Sequence, residues 1–152
     1  MEQAVSELFS LRPAREDDIP YINSYSYAEG MDNPPFDGGI TVAVNDEDIP
    51  VGFIRIAESP VEENGAVRPI AHINPVVTTK QWRGFGVGRA LVENAQREYG
   101  ELRLIARGHN IPFYRLLGFK DASWAAISAD VNDCDGCEMR EECNPLPMVC
   151  YP

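Results

Sequence analysis

The chain has 152 residues, 44% of them hydrophobic, which is enough for one domain-sized core. Its formal charge of −11 argues against a nucleic-acid partner, because counterion release requires clustered Lys and Arg, and it suits a cationic or amine-bearing ligand. No run approaches the ~18–20 uncharged apolar residues of a membrane span, and Met1–Glu7 has no basic region followed by an apolar one, so a cytoplasmic protein without a membrane partner is expected.

In chain order, Leu8–Arg12 reads as a first strand, and Pro13 to Asp18 as a turn that places acidic residues at the start of a helix running to about Tyr27. Asn33–Gly39 holds two prolines and two glycines and reads as a loop of the kind that covers a substrate. Ile40–Val44 and Val51–Ile56 are β-rich runs around the acidic turn 45–48, which predicts a hairpin. Another turn is expected at Glu62–Gly65. Residues 66–78 have strand character, with Pro69 and Pro75 predicting a bulge or an edge lacking a partner.

Val87, Leu91, Ala95 and Tyr99 recur every four residues, predicting an amphipathic helix that ends at Gly100. Leu102–Ala106 reads as a further strand, Pro112–Leu117 as a short helix, and Gly118-Phe119 as the start of closing strands. Between residues 130 and 152, Asp130, Asp133, Asp135, Glu138, Glu141 and Glu142 stand against Arg140 alone. This shift in composition sets off residues 131–152 as an acidic, cysteine-rich tail to a domain spanning 1–130.

The segment Arg83-Gly84-Phe85-Gly86-Val87-Gly88 joins a predicted strand to a predicted helix. Such a turn lines up backbone N–H groups with no side chains in the way, and the helix dipole favours an anion there. Arg83 and Arg89 add charge. Spaced G-x-G-x-G, the glycines fit neither the Walker loop nor the dinucleotide fingerprint.

Farther on stands His109-Asn110-Ile111-Pro112-Phe113-Tyr114-Arg115-Leu116-Leu117-Gly118-Phe119. Together, Arg83-x-x-Gly86-x-Gly88 and the Tyr114 to Phe119 segment resemble the CoA-binding and Tyr-x-x-x-Gly-Phe motifs of the GNAT superfamily of N-acyltransferases. The resemblance extends from residue 8 to about 130. It implies an α/β (α+β) fold: a mixed, mostly antiparallel sheet of six or seven strands with helices on both faces, splayed between the fourth and fifth strands. It also implies acetyl-CoA as cosubstrate, its pyrophosphate on Arg83 to Arg89 and its pantetheine arm on the backbone of Val76, Val77 and Thr78.

By the same resemblance Tyr114 protonates the departing thiolate, a role that an ordinary phenol pKa of about 10 allows. Asn110 stands among the implied cofactor contacts, although its position four residues before Tyr114 also suits a helix N-cap followed by Pro112. The acceptor is expected to be a small-molecule or peptide amine, and the protein a monomer or homodimer. The attacking amine must lose a proton. Residues 70–74 carry no carboxylate, so His72 is the candidate base on that strand, with Glu29 and Glu58 as further candidates.

All four cysteines lie in the tail as Cys134-x2-Cys137-x5-Cys143-x6-Cys150. Four thiols clustered this way in a cytoplasmic chain predict a metal site, with zinc first and an iron–sulfur cluster second, against unligated or redox-active thiols, or a three-cysteine site with Cys150 displaced. Two rivals to catalysis therefore stand: an acyl-CoA-binding protein without turnover, and a metal or redox sensor on the same scaffold.

Overall fold

The computed structural model describes residues 8–134 and 136–152. Hydrogen-bonded neighbours in a seven-stranded sheet run β1-β2-β3-β4-β5-β7-β6. The strands are β1 (Ser10–Pro13), β2 (Ile40–Val44), β3 (Pro50–Glu63), β4 (Ala66–Thr78), β5 (Leu102–Ala106), β6 (Lys120–Asp121) and β7 (Leu146–Cys150). The helices are α1 (Ile19–Ala28), α2 (Val87–Tyr99), α3 (Ile111–Leu116) and the short α4 (Arg140–Cys143). Two compact units divide the chain, one comprising residues up to Ile56 with Pro75–Asn94, the other Ala57–Asn74 with Ala95–Pro152.

In the first unit, β1 pairs antiparallel with β2, and β2 with β3. Alternate residues of β2 and β3 face one core, where Ile22 of α1 packs with Ile40, Val42, Val44, Phe53 and Val77. The intervening Ala43 of β2 and Ile54 of β3 are buried too, so these strands are covered on both faces. Asp18 is buried and accepts from both guanidinium nitrogens of Arg12, at 2.7 and 3.0 Å, and from the Arg15 N–H at 2.7 Å. This bidentate pair lowers the Asp18 pKa despite burial, which acts the other way and is the largest single influence.

In the second unit, β4 pairs in parallel with β5 at His72 opposite Arg103, the single register pair described between them. Neither Pro69 nor Pro75 interrupts β4, which runs unbroken from Ala66 to Thr78. The turn before it is the expected one: Asn64 and Gly65 both take positive φ, as a two-residue hairpin loop requires. Arg103 is 2% exposed and binds Glu63 at 2.9 Å, Glu101 at 2.7 Å and the Ala126 carbonyl at 2.7 Å.

Leu146–Cys150 falls inside the segment read as a tail, yet it is β7, paired antiparallel with β5 from Leu102–Cys150 to Ala106–Leu146 and with β6 on its other edge. Met148, Val149 and Cys150 are buried. Pro147 within this run cannot donate to a ladder, and with the acidic stretch ahead of it that hides the strand in the sequence.

Candidate active site

In the first unit, Arg83 to Gly86 form the turn that leads into α2. Gly84 and Gly86 have φ of +88° and +83°, and a Cβ at either would meet nothing within 4 Å. The left-handed backbone, not crowding, is what calls for glycine here. Ala90 donates to the Gly86 carbonyl at 3.0 Å, which makes Gly86 the residue from which α2 starts. The N–H groups of Val87, Gly88 and Arg89 thus have no acceptor within the helix, and the positive end of its dipole lies with them. Val87 is 1% exposed and anchors the turn, while half-exposed Phe85 packs on Trp82 with ring centroids 5.4 Å apart.

Gly52 of β3 was not singled out by sequence reasoning, yet it sets the position of this turn. A Cβ there would lie 2.9 Å from the Val77 carbonyl oxygen and 2.9 Å from Val87 Cγ1. A glycine inside a β-rich run is the signal that marks such a close approach. Val77 itself is buried in the core, and Val76 and Thr78 on either side are half-buried.

Arg83 does not stand ready for a phosphate. Its Nη2 lies 2.7 Å from Glu29 Oε2, just past the end of α1, and its Nε donates to the Thr78 carbonyl at 3.4 Å. Arg89 pairs with Glu93 one helical turn on, at 3.2 Å. The loop from Met31 to Gly39 is tied at its far end by Asp37, whose carboxylate meets Arg55 at 2.7 Å, and by the Ile56 N–H on the Gly39 carbonyl at 2.8 Å.

In the second unit, Tyr114 is 6% exposed and lies edge-on to Phe113 and Phe119, at 5.0 and 5.5 Å between centroids. Burial pushes its phenol well above the ordinary value, with Arg107 opposing, so the expectation of an unperturbed phenol is corrected. The same aromatic packing holds the side chain in one place. Asn110 occupies the N-cap position of α3, with Pro112 in the first turn, but makes no side-chain capping bond. A 3-10 turn over Gly108–Asn110 continues directly into α3, giving Asn110 helical backbone angles in place of the extended ones a capping side chain needs.

The reading of His72 as a base is overturned. The ring is fully buried, its Nδ1 lies 2.8 Å from the Ile70 carbonyl, and its Nε2 accepts from the Ser128 N–H at 3.2 Å. Donation from Nδ1 and acceptance at Nε2 define one neutral tautomer and leave no lone pair for a substrate. Desolvation drives its pKa below the ordinary value. His72 is a structural residue joining β4 to the segment around Ser128. Glu58 is exposed on β3, and Glu29 is engaged with Arg83.

The four-cysteine metal site is likewise not assembled. Cys150 sits buried on β7, where its thiol accepts from Gln96 Nε2 at 3.7 Å and approaches the Gly100 carbonyl at 3.9 Å. Cys134, Cys137 and Cys143 belong to the loop and α4 ahead of that strand. Among the described residues, no group of three or more His, Cys, Asp or Glu side chains is arranged to hold a metal ion. The strand pairing of β7 separates the fourth thiol from the others, a constraint that spacing alone does not reveal.

The family model described as an acetyltransferase (GNAT) domain matches residues 37–121, more than half of the chain. The protein belongs to this family. Among solved structures, N-acetylglutamate synthase from Neisseria gonorrhoeae, complexed with coenzyme A and N-acetyl-glutamate, is 14% identical with a TM-score of 0.70, covering 94% of this chain and 35% of its own. The chain thus spans little more than a third of that synthase. Ard1 from Thermoplasma volcanium is 18% identical with a TM-score of 0.65, over 95% and 97% of the two chains. An acetyltransferase from Trypanosoma brucei is 25% identical with a TM-score of 0.60, over 76% and 94%. The expected fold is therefore the observed one. No curated protein matches the sequence. No helix among the described residues is long and apolar enough to cross a membrane.

Proposed function

We propose that the protein transfers an acetyl group from acetyl-CoA to a primary amine by direct attack on the thioester. The observation that carries this reading is the turn at Gly84–Gly86, whose two left-handed glycines bare the first N–H groups of a thirteen-residue helix. Pyrophosphate binds those groups, with Arg83 and Arg89 at the rim. The amides of the pantetheine arm pair with the backbone of Val76, Val77 and Thr78, as an added strand pairs with a sheet edge. A backbone N–H near Val77 polarises the thioester carbonyl as negative charge develops on its oxygen.

Attack by the neutral amine gives a tetrahedral adduct, and its collapse expels the CoA thiolate. Tyr114 donates the proton that this sulfur takes up, and the proton that the adduct's nitrogen sheds as the amide forms returns, by way of solvent, to the Tyr114 phenolate. Its raised pKa keeps it protonated throughout the working range, so the donor is always in the right form, at the cost of being a weaker acid. With His72 sealed in the core, the acceptor loses its proton to solvent before attack. The acidic surface attracts the cationic form of the amine to the protein.

Release of free CoA from acetyl-CoA in the presence of a panel of small polyamines, aminosugars and peptide amines tests the proposal. Acetylated product accumulating in step with free CoA supports it. Micromolar binding of acetyl-CoA with no turnover on any amine overturns it in favour of a non-catalytic acyl-CoA sensor.

A further inference from the structure

The segment ahead of β7 contains a dithiol that the acyl-transfer reading does not use. The Cys137 N–H donates to the Cys134 carbonyl at 3.2 Å, and the Arg140 N–H to the Cys137 carbonyl at 3.3 Å. Gly136 between them has φ of +76°. A bond from residue i+3 back to residue i holds the end Cα atoms within about 7 Å. A disulfide needs about 4.4–6.8 Å. The turn therefore brings the two Cα atoms within about 7 Å of one another, next to the span a disulfide bridges, while both thiols are free.

Access is asymmetric. Cys137 is exposed and lines an open cavity of about 610 Å³ with Trp124, Glu138, Arg140, Glu141 and Asn144. Cys134 is only partly exposed. Arg140 is stacked over the Trp124 ring at 4.6 Å, and its one positive charge stands against the two carboxylates of Glu138 and Glu141 in the lining. An attacking thiol at the surface with a resolving thiol behind it is the arrangement that thiol–disulfide exchange requires.

We propose that Cys134 and Cys137 form a reversible disulfide by exchange with a small cationic disulfide that enters this cavity. The Cys137 thiolate attacks one sulfur of the incoming disulfide, forming a mixed disulfide and expelling one thiolate. The Cys134 thiolate then attacks Cys137 Sγ, closing the protein disulfide and expelling the second thiolate. Both leaving groups take up the protons that the two cysteines lost. The protein is oxidised by two electrons and the incoming disulfide is reduced to two thiols, so the balance closes.

The charge around the site sets the choice of reagent. Glu138 and Glu141 line the cavity beside a single Arg140, so an anionic disulfide is repelled and a cationic one attracted.

The test treats the full-length reduced protein with cystamine or with glutathione disulfide and maps the cross-link by peptide mass spectrometry, after elemental analysis for zinc and iron. The expected result is a Cys134–Cys137 disulfide, reversed by dithiothreitol. It forms about tenfold faster with cystamine at low salt, and that advantage shrinks in high salt. In Cys134→Ser, the reagent stays attached to Cys137. A cross-link from Cys134 to Cys143, no reaction at Cys137, faster reaction with glutathione disulfide, or a stoichiometric metal masking the thiols would each overturn the proposal.

Discussion

The Arg83 guanidinium lies 2.7 Å from the Glu29 carboxylate, so the arginine at the mouth of the glycine turn is already matched to an anion supplied by the end of α1. On the proposed reading, a phosphate arriving at this turn competes with Glu29. Both side chains are substantially exposed, and a pair of this kind contributes no more than about 1 kcal/mol to stability. Glu29→Gln is therefore expected to leave the melting temperature nearly unchanged while tightening acetyl-CoA binding severalfold at low ionic strength. Calorimetry at two salt concentrations checks it: the gain fades at high salt, and Arg83→Ala shifts affinity in the opposite direction.

Tyr114→Phe is expected to slow acyl transfer by about 10²–10⁴-fold with acetyl-CoA affinity unchanged, the range for loss of a positioned general acid. Equal turnover in the two proteins would assign Tyr114 to packing with Phe113 and Phe119 alone. The raised pKa also fixes a sign for stability. The folded state holds the phenolic proton above the ordinary value of 10.0, so stability is intact below about pH 10 and declines above it, because the unfolded chain ionises first. Chemical denaturation between pH 9 and 11 should show that decline in the native protein and a smaller one in Tyr114→Phe.

His72 makes the opposite prediction. Its folded pKa lies below the ordinary 6.5, so the unfolded chain binds the extra proton and stability falls as the pH drops below about 6.5. His72→Gln should lower stability by about 1–3 kcal/mol through the buried partners it leaves unmatched. The acid limb of the rate profile should survive in that variant, since it reports the amine acceptor. Loss of that limb would restore His72 as a base.

Gly52→Ala tests the close approach under the glycine turn. The added methyl meets the Val77 carbonyl and the Val87 side chain at 2.9 Å, and the carbonyl belongs to the backbone and yields little. A cost of about 1–3 kcal/mol is expected, with weaker acetyl-CoA binding if, as proposed, the helix that Val87 begins supplies the phosphate donors. Unchanged affinity would separate the packing of β3 from the site.

Much of this protein is local and therefore legible in its sequence. The four-residue recurrence of Val87, Leu91, Ala95 and Tyr99 specifies α2, the Asn64-Gly65 pair specifies a tight hairpin, and glycines at 84 and 86 specify the left-handed turn before the helix. Each follows from the preferences of a few neighbouring residues, where period and backbone sterics decide the outcome. What tertiary structure decided is pairwise and distant. Glu29 meets Arg83 across 54 positions, and Ser128 caps the ring of His72 across 56. Cys150 leaves its fellow cysteines because β5 offers an edge for β7. No local pattern encodes these contacts: a histidine on a strand has the same sequence signature whether its nitrogens face a substrate or a backbone, and only the packing of remote segments, with the desolvation it imposes, selects between them.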